Sequence, residues 1–200
     1  MYTLLKPIIV RQELIKRRLK IFTPFDFVRI FEINSLKTKY FLEKESQING
    51  FLIRLKKGLY ALKTDMPSDE EIANSLYKPS YISFEYALSR YGIIPEATYA
   101  ITSATTKITR EFEVEDKKFT YLSIKKQAYI GFNLVKVSSK NYFIATPEKA
   151  LVDYLYFVSL GLKTLNDRMI LNNLNKKRVY EYAERFKRKG LINLLKNTLI

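Results

Sequence analysis

Phe51-Leu52-Ile53-Arg54-Leu55-Lys56-Lys57-Gly58-Leu59-Tyr60-Ala61-Leu62 is the stretch on which the reading of the fold turns. Two apolar runs, Phe51 to Leu55 and Leu59 to Leu62, flank Lys56-Lys57-Gly58. Gly58 supplies the positive φ of a tight turn, so the segment predicts a β-hairpin with a basic tip. Just upstream, Asn49-Gly50 closes a helix expected over about Leu36 to Gln47, with Asn34 and Ser35 as its break and cap. Thr23-Pro24-Phe25-Asp26 marks an earlier start: Thr23 caps, Pro24 fits the first helical position and Asp26 completes a capping box. That short helix runs to about Ile33. An opening helix is expected over Leu4 to Phe22, beginning near Pro7 and ending in Lys16, Arg17, Arg18 and Lys20. Helix, short helix, helix and basic-tipped hairpin is the element order of a winged helix.

Outward on the other side, Asp65-Met66-Pro67-Ser68 reads as a linker, and Ser68 with Glu71 repeats the capping-box spacing. The domains are therefore placed at 1–64 and 65–200. A helix is expected over Ser83 to Tyr91, capped by Ser83 and closed by Gly92. Strands are expected over Tyr99–Ser103, Ile108–Val114, Phe119–Ile124, Tyr129–Val137 and Tyr142–Ala145. Their turns lie at Glu115-Asp116-Lys117 and Ser138-Ser139-Lys140-Asn141. Thr146-Pro147 opens another helix, and from Asn166 the pattern is helical to the end with Gly190 as a break. The fold class is thus α+β: an N-terminal winged helix-turn-helix, then a mixed α+β domain with a mainly antiparallel sheet and C-terminal helices.

Composition narrows the chemistry. The 200 residues contain neither Cys nor His, so disulfides, His-containing triads and His-ligated zinc are excluded. No cofactor is expected. The most apolar run, Ala150 to Leu162, contains Asp153 and is too short to span a bilayer. With no signal peptide evident, a cytoplasmic protein that does not enter the membrane is the expectation. Net charge is +15, unevenly spread. Residues 1–64 carry 14 Lys/Arg against 5 Asp/Glu, residues 65–160 carry 11 against 12, and residues 161–200 carry 10 against 3. Positive ends around a neutral middle suggest a polyanionic partner, most commonly nucleic acid. A lysine-rich surface set by an AT-rich genome is the plainer explanation of the same charge.

A helix that enters the major groove needs cations for phosphates and polar side chains for base edges. The third helix offers Lys37, Thr38, Lys39, Lys44 and Gln47, and the hairpin offers Arg54, Lys56 and Lys57. These are the candidate DNA contacts, and five or six neutralised phosphates would give a salt slope of about −4 to −6. Leu36, Tyr40, Phe41 and Leu42 spread over more than half the helical wheel, so the role rests on element order and charge rather than periodicity.

From Tyr81 the chain resembles a known family. Tyr81-Ile82-Ser83-Phe84-Glu85-Tyr86-Ala87-Leu88-Ser89-Arg90-Tyr91-Gly92-Ile93-Ile94-Pro95-Glu96 is similar to a characteristic stretch of the AbiE-type antitoxins of type IV toxin–antitoxin systems. Ile101-Thr102-Ser103-Ala104-Thr105-Thr106-Lys107, Arg110-Glu111-Phe112, Phe119-Thr120-Tyr121, Ile130-Gly131-Phe132 and Ala145-Thr146-Pro147-Glu148-Lys149-Ala150-Leu151-Val152-Asp153 continue it in order. The resemblance covers residues 81–153, and Arg54 to Leu62 looks like the family's wing. It implies an N-terminal winged helix that represses its own promoter, and a second domain opposing a nucleotidyltransferase-like toxin. Each block also has a plain structural reading as a cap, turn or core residue.

Other readings stand beside it. Lys176, Lys177, Arg178, Arg185 and Arg188 are candidate contacts to the toxin or to a nucleic acid, and deleting residues 161–200 is expected to spare operator binding while weakening protection. A repressor with a dimerisation or ligand-sensing domain and no toxin is the main alternative; two-fold operators favour a homodimer joined through sheet edges or terminal helices. A metal-dependent nuclease would use Glu111, Glu113, Glu115, Asp116 and Lys117, whose Glu-x-Lys spacing can hold a divalent ion, although one acidic strand lacks a second acid-bearing partner.

Overall fold

A computed structural model describes residues 5–47, 49–137 and 140–199. The expected positions Leu4, Ser138 and Ser139 lie outside them. The chain is a mixed α and β protein that divides into two compact units, 1–76 and 77–200.

The first unit contains α1 (Pro7–Lys16), β1 (Ile21–Phe22), α2 (Pro24–Phe31), α3 (Ser35–Glu45), β2 (Leu52–Lys56), β3 (Leu59–Leu62) and α4 (Asp69–Leu76). The opening helix is shorter than its apolar spacing suggested. Arg18 adopts a left-handed φ of 54°, and Leu19 N–H bonds back to the Leu14 carbonyl at 3.0 Å, which ends the helix six residues early, at Lys16. Ile21 and Phe22 then pair antiparallel with Ala61 and Tyr60, adding a third strand in the order β1-β3-β2. The capping box at α2 forms as expected: Asp26 N–H donates to Thr23 Oγ1 at 3.2 Å, and Thr23 N–H donates to Asp26 Oδ2 at 3.0 Å. Val10, Leu14, Phe22, Phe27, Phe41, Leu42, Leu52, Tyr60 and Leu62 make one core, with the Phe27 ring 5.4 Å from that of Phe41. The boundary lies past residue 64 because α4 packs on β2 and the Lys56 ammonium donates to the Leu76 carbonyl. Asp65, Asp69, Glu70 and Glu71 thereby join the first unit and lower its net charge from +9 to +5.

The second unit holds β4 (Ser80–Ile82), α5 (Phe84–Arg90), β5 (Ile101–Thr105), β6 (Arg110–Val114), β7 (Lys117–Ser123), β8 (Phe132–Val137), β9 (Lys140–Ala145), α6 (Pro147–Ser159), α7 (Lys176–Glu184) and α8 (Lys189–Thr198). Its six strands run in the order β6-β7-β5-β4-β9-β8. The pairs β4–β5, β6–β7 and β8–β9 are antiparallel, while β4–β9 and β5–β7 are parallel, so the sheet is mixed with antiparallel joins in the majority. The central strand β4, too short to stand out in the sequence, makes one of the parallel joins. Helices α5, α7 and α8 gather around α6, whose Leu151, Val152 and Leu155 are fully buried. The helical stretch expected from Asn166 begins only at Lys176, and its break falls at Phe186-Lys187 rather than Gly190. Phe186 turns inward to lie 4.3 Å from the Tyr156 ring, Lys187 takes a left-handed φ of 45°, and Gly190 sits inside α8.

Candidate nucleic-acid interface

Helix α3 is started by Asn34, whose Oδ1 accepts the Lys37 N–H at 2.9 Å. The rotation this fixes resolves the ambiguous helical wheel. Thr38, Phe41, Leu42 and Glu45 point into the core, whereas Leu36, Lys37, Lys39, Tyr40, Glu43, Lys44 and Gln47 are exposed. Thr38 is only 1% exposed, so it cannot meet a base; its spacing to Phe41 and Leu42 makes it part of the packed stripe. Among the cations, Lys39 Nζ stands 4.0 Å from Glu43 Oε1, a solvated helix pair.

The hairpin presents its tip at Lys57 and Gly58, with Gly58 at φ +76°. A register shift between Arg54 and Lys56 leaves Arg54 exposed on β2 while Leu52, Ile53 and Leu55 are buried. The two adjacent lysines part company. Lys57 is exposed, but Lys56 is half-buried with its ammonium turned back onto the Leu76 carbonyl, so it braces α4 instead of reaching outward. Of the eight candidate DNA contacts, Lys37, Lys39, Lys44, Gln47, Arg54 and Lys57 lie on the surface; Thr38 and Lys56 are withdrawn. Sequence reasoning missed Leu36 and Tyr40, two large exposed side chains amid these cations.

In the second unit the basic candidates also divide. Lys177, Arg178 and Arg185 are exposed on α7 or its end. Lys176 is exposed too, but its Nζ donates to the Leu199 carbonyl at 2.5 Å, tying α7 to the end of α8. Arg188 is half-buried, donating to Ser159 Oγ at 2.9 Å and to the Ser159 carbonyl at 2.5 Å. These two hold helices together. Val179, Ala183, Phe186, Leu191 and Leu195 are buried as well. Removing 161–200 would therefore strip the core, and charge substitutions are the proper probe of the tail.

The densest polar cluster of this unit is internal. Asp153 Oδ2 accepts from Tyr81 Oη at 2.9 Å and from Ser83 Oγ at 2.8 Å, while Asp153 Oδ1 pairs with the Lys149 ammonium one turn earlier on α6. Tyr81, Ser83, Lys149 and Asp153 are all fully buried. Burial pushes the Asp153 carboxyl up and the Lys149 ammonium down, each opposed by the attraction of the other. The Tyr81 hydroxyl is raised well above its usual range, by burial first and then by Asp153. Ser83 thus spends its hydroxyl on Asp153 and makes no side-chain cap; Thr102 Oγ1 accepts the Tyr86 N–H at 3.2 Å in its place. The Lys149 ammonium also lies 4.8 Å from the Phe186 ring centre, joining sheet, α6 and the C-terminal helices.

The acidic run lies on the β6–β7 hairpin. Glu113 pairs across to Lys118, Lys118 Nζ meets Glu111 Oε2 at 2.9 Å, and Glu115-Asp116 is the exposed turn. Among the described residues no three metal-ligating side chains converge. None of the helices described is long and apolar enough to cross a membrane. No protein-family model and no curated protein matches this chain.

Proposed function

We propose that the protein is a DNA-binding transcriptional autoregulator, with residues 1–76 acting as a winged helix. One observation carries the reading: α3, α2 and the β2–β3 hairpin share a single core, and the exposed cations Lys37, Lys39, Lys44, Arg54 and Lys57 lie on α3 and the hairpin outside it. Helix α3 is the recognition helix, capped at Asn34 and presenting its outer face to the major groove. The hairpin is the wing, with Arg54 and Lys57 on phosphate. Five such contacts correspond to a salt slope of about −4.5.

We further propose, from the motif blocks between Tyr81 and Asp153, that the second unit serves as the antitoxin of an AbiE-type abortive-infection system against a nucleotidyltransferase-like toxin. Lys177, Arg178 and Arg185 are its candidate contacts. Those blocks fold around the buried Asp153 cluster, which supports their reading as scaffold and leaves recognition to the surface. The test has two arms. Purified protein should retard its own upstream DNA at low ionic strength, and a variant with Lys37, Lys39, Lys44 and Lys57 all changed to Ala should not. The gene beside its own should encode a nucleotidyltransferase-like protein whose expression arrests growth, and co-expression of this protein should restore it. Retardation unchanged in the quadruple variant refutes the first arm; continued growth arrest refutes the second and leaves a repressor without a toxin.

A further inference from the structure

The geometry points to a hydrophobic reading of thymine: the outer face of α3 recognises thymine methyl groups in the major groove through Leu36 and Tyr40. This rests on the operator-binding reading above and names what that site selects. Leu36 is 78% exposed and Tyr40 71%, two large side chains adjoining on the outer face of one helix. They are four residues apart, hence on one face, in the N-terminal part of α3 that a recognition helix brings closest to base edges. Both line a groove of about 710 Å³ together with Ile33 and Phe41; its charged lining is Lys6, Lys37 and Lys44 against one acid, Glu45, which is buried.

The charge on that rim selects the occupant. A second copy docked through the same face would oppose lysines with lysines. A polyanion satisfies them. Duplex DNA adds one apolar feature to its phosphates, the C5 methyl of thymine, which projects into the major groove. Leu36 has no donor or acceptor with which to read any other base-edge pattern, so a methyl is the only complementary group it can meet. Tyr40 offers a ring to a neighbouring methyl and a hydroxyl to a phosphate oxygen.

The test uses the full chain and its own upstream DNA, prepared once with thymine and once with deoxyuridine, which lacks only the methyl. Removal of one buried methyl should weaken binding about fourfold, and of two about tenfold or more. The Leu36→Ala/Tyr40→Ala variant should bind the thymine DNA more weakly and should no longer distinguish the two DNAs. Equal affinity of the native protein for both DNAs overturns the inference while leaving operator binding intact. A penalty that persists undiminished in the double variant also overturns it, because the methyls are then felt through DNA shape. Loss of self-association in the variant without loss of DNA affinity assigns the face to a second copy instead. Failure of the native protein to bind either DNA refutes the operator-binding reading itself, and this inference with it.

Discussion

Lys56 and Lys57 are neighbours in the sequence and opposites in the structure, and that contrast can be measured. Lys57→Ala removes an exposed cation at the hairpin tip; Lys56→Ala removes one whose ammonium is bonded to the Leu76 carbonyl. One phosphate contact contributes about 0.9 to the slope of log K against log salt, so Lys57→Ala should lower the slope by about that amount. Raising salt from about 50 to about 200 mM should then narrow the gap between native and Lys57→Ala affinities about 3.5-fold. Lys56→Ala should leave the slope unchanged. It should instead leave the Leu76 carbonyl short of a charged donor, at about 1–2 kcal/mol for a half-buried group. That corresponds to a fall of at least about 4 °C in the melting of a unit this size. Fluorescence-anisotropy titrations across the salt range and thermal circular dichroism separate the two effects. Equal slope changes in both variants, or a stability loss confined to Lys57→Ala, would refute the assignment of the wing tip.

The remaining expectations are briefer. Asp153→Ala should destabilise the second unit by about 3–5 kcal/mol, since it strands a buried ammonium, whereas Lys149→Met/Asp153→Leu should lose less than the single change; strictly additive losses in urea unfolding would contradict the pairing. Gly131 has φ +75°, and a Cβ there would stand 2.8 Å from the Tyr182 ring and 3.1 Å from Lys149 Cγ, so Gly131→Ala should cost more than about 1–2 kcal/mol and loosen α7 in hydrogen exchange. The Glu96 carboxyl is held below its usual range by its own backbone amide, then by Asn166 and Arg168. Its folded value is the depressed one, so its contribution is complete above the ordinary carboxylate range and lost as pH falls through that lower value. The Asn166 side-chain amide signal should shift there, and a shift at or above the ordinary range would oppose this. Lys177→Ala/Arg178→Ala/Arg185→Ala should keep operator affinity within about twofold yet reduce rescue from the toxin, these surface changes leaving the fold intact; unimpaired rescue would remove α7 from the contact.

Local signals were the legible part. Caps and punctuation at Thr23, Asn34, Gly58, Ser68, Gly92 and Thr146 located helix starts and turns to within a few residues, because they act through neighbouring backbone atoms. What was hidden depends on distant partners. Ile21-Phe22 reads as the end of a helix until Tyr60 and Ala61 are beside it. β4 is too short to show a period, and its parallel join to β9 spans some sixty residues of chain. The parallel pairing of β5 with β7 likewise follows from β6 folding to the outer edge, which alternation alone does not state. For the candidate interface, charge identified the right elements but not the right atoms. Thr38 and Lys56 looked equivalent to Lys39 and Lys57; only packing distinguished the stripe that faces inward.

The sealed cluster around Asp153 has an evolutionary corollary. Loss of Asp153 alone leaves a buried ammonium and two hydroxyls without their shared acceptor, and loss of Lys149 alone leaves the carboxylate without its counter-ion, while a jointly apolar replacement is tolerable only once both ions have gone. The stepwise route between those two solutions crosses a destabilised intermediate with one buried ion unpaired. Two stretches some seventy residues apart are thereby tied to each other by folding alone, without either one needing to touch a ligand.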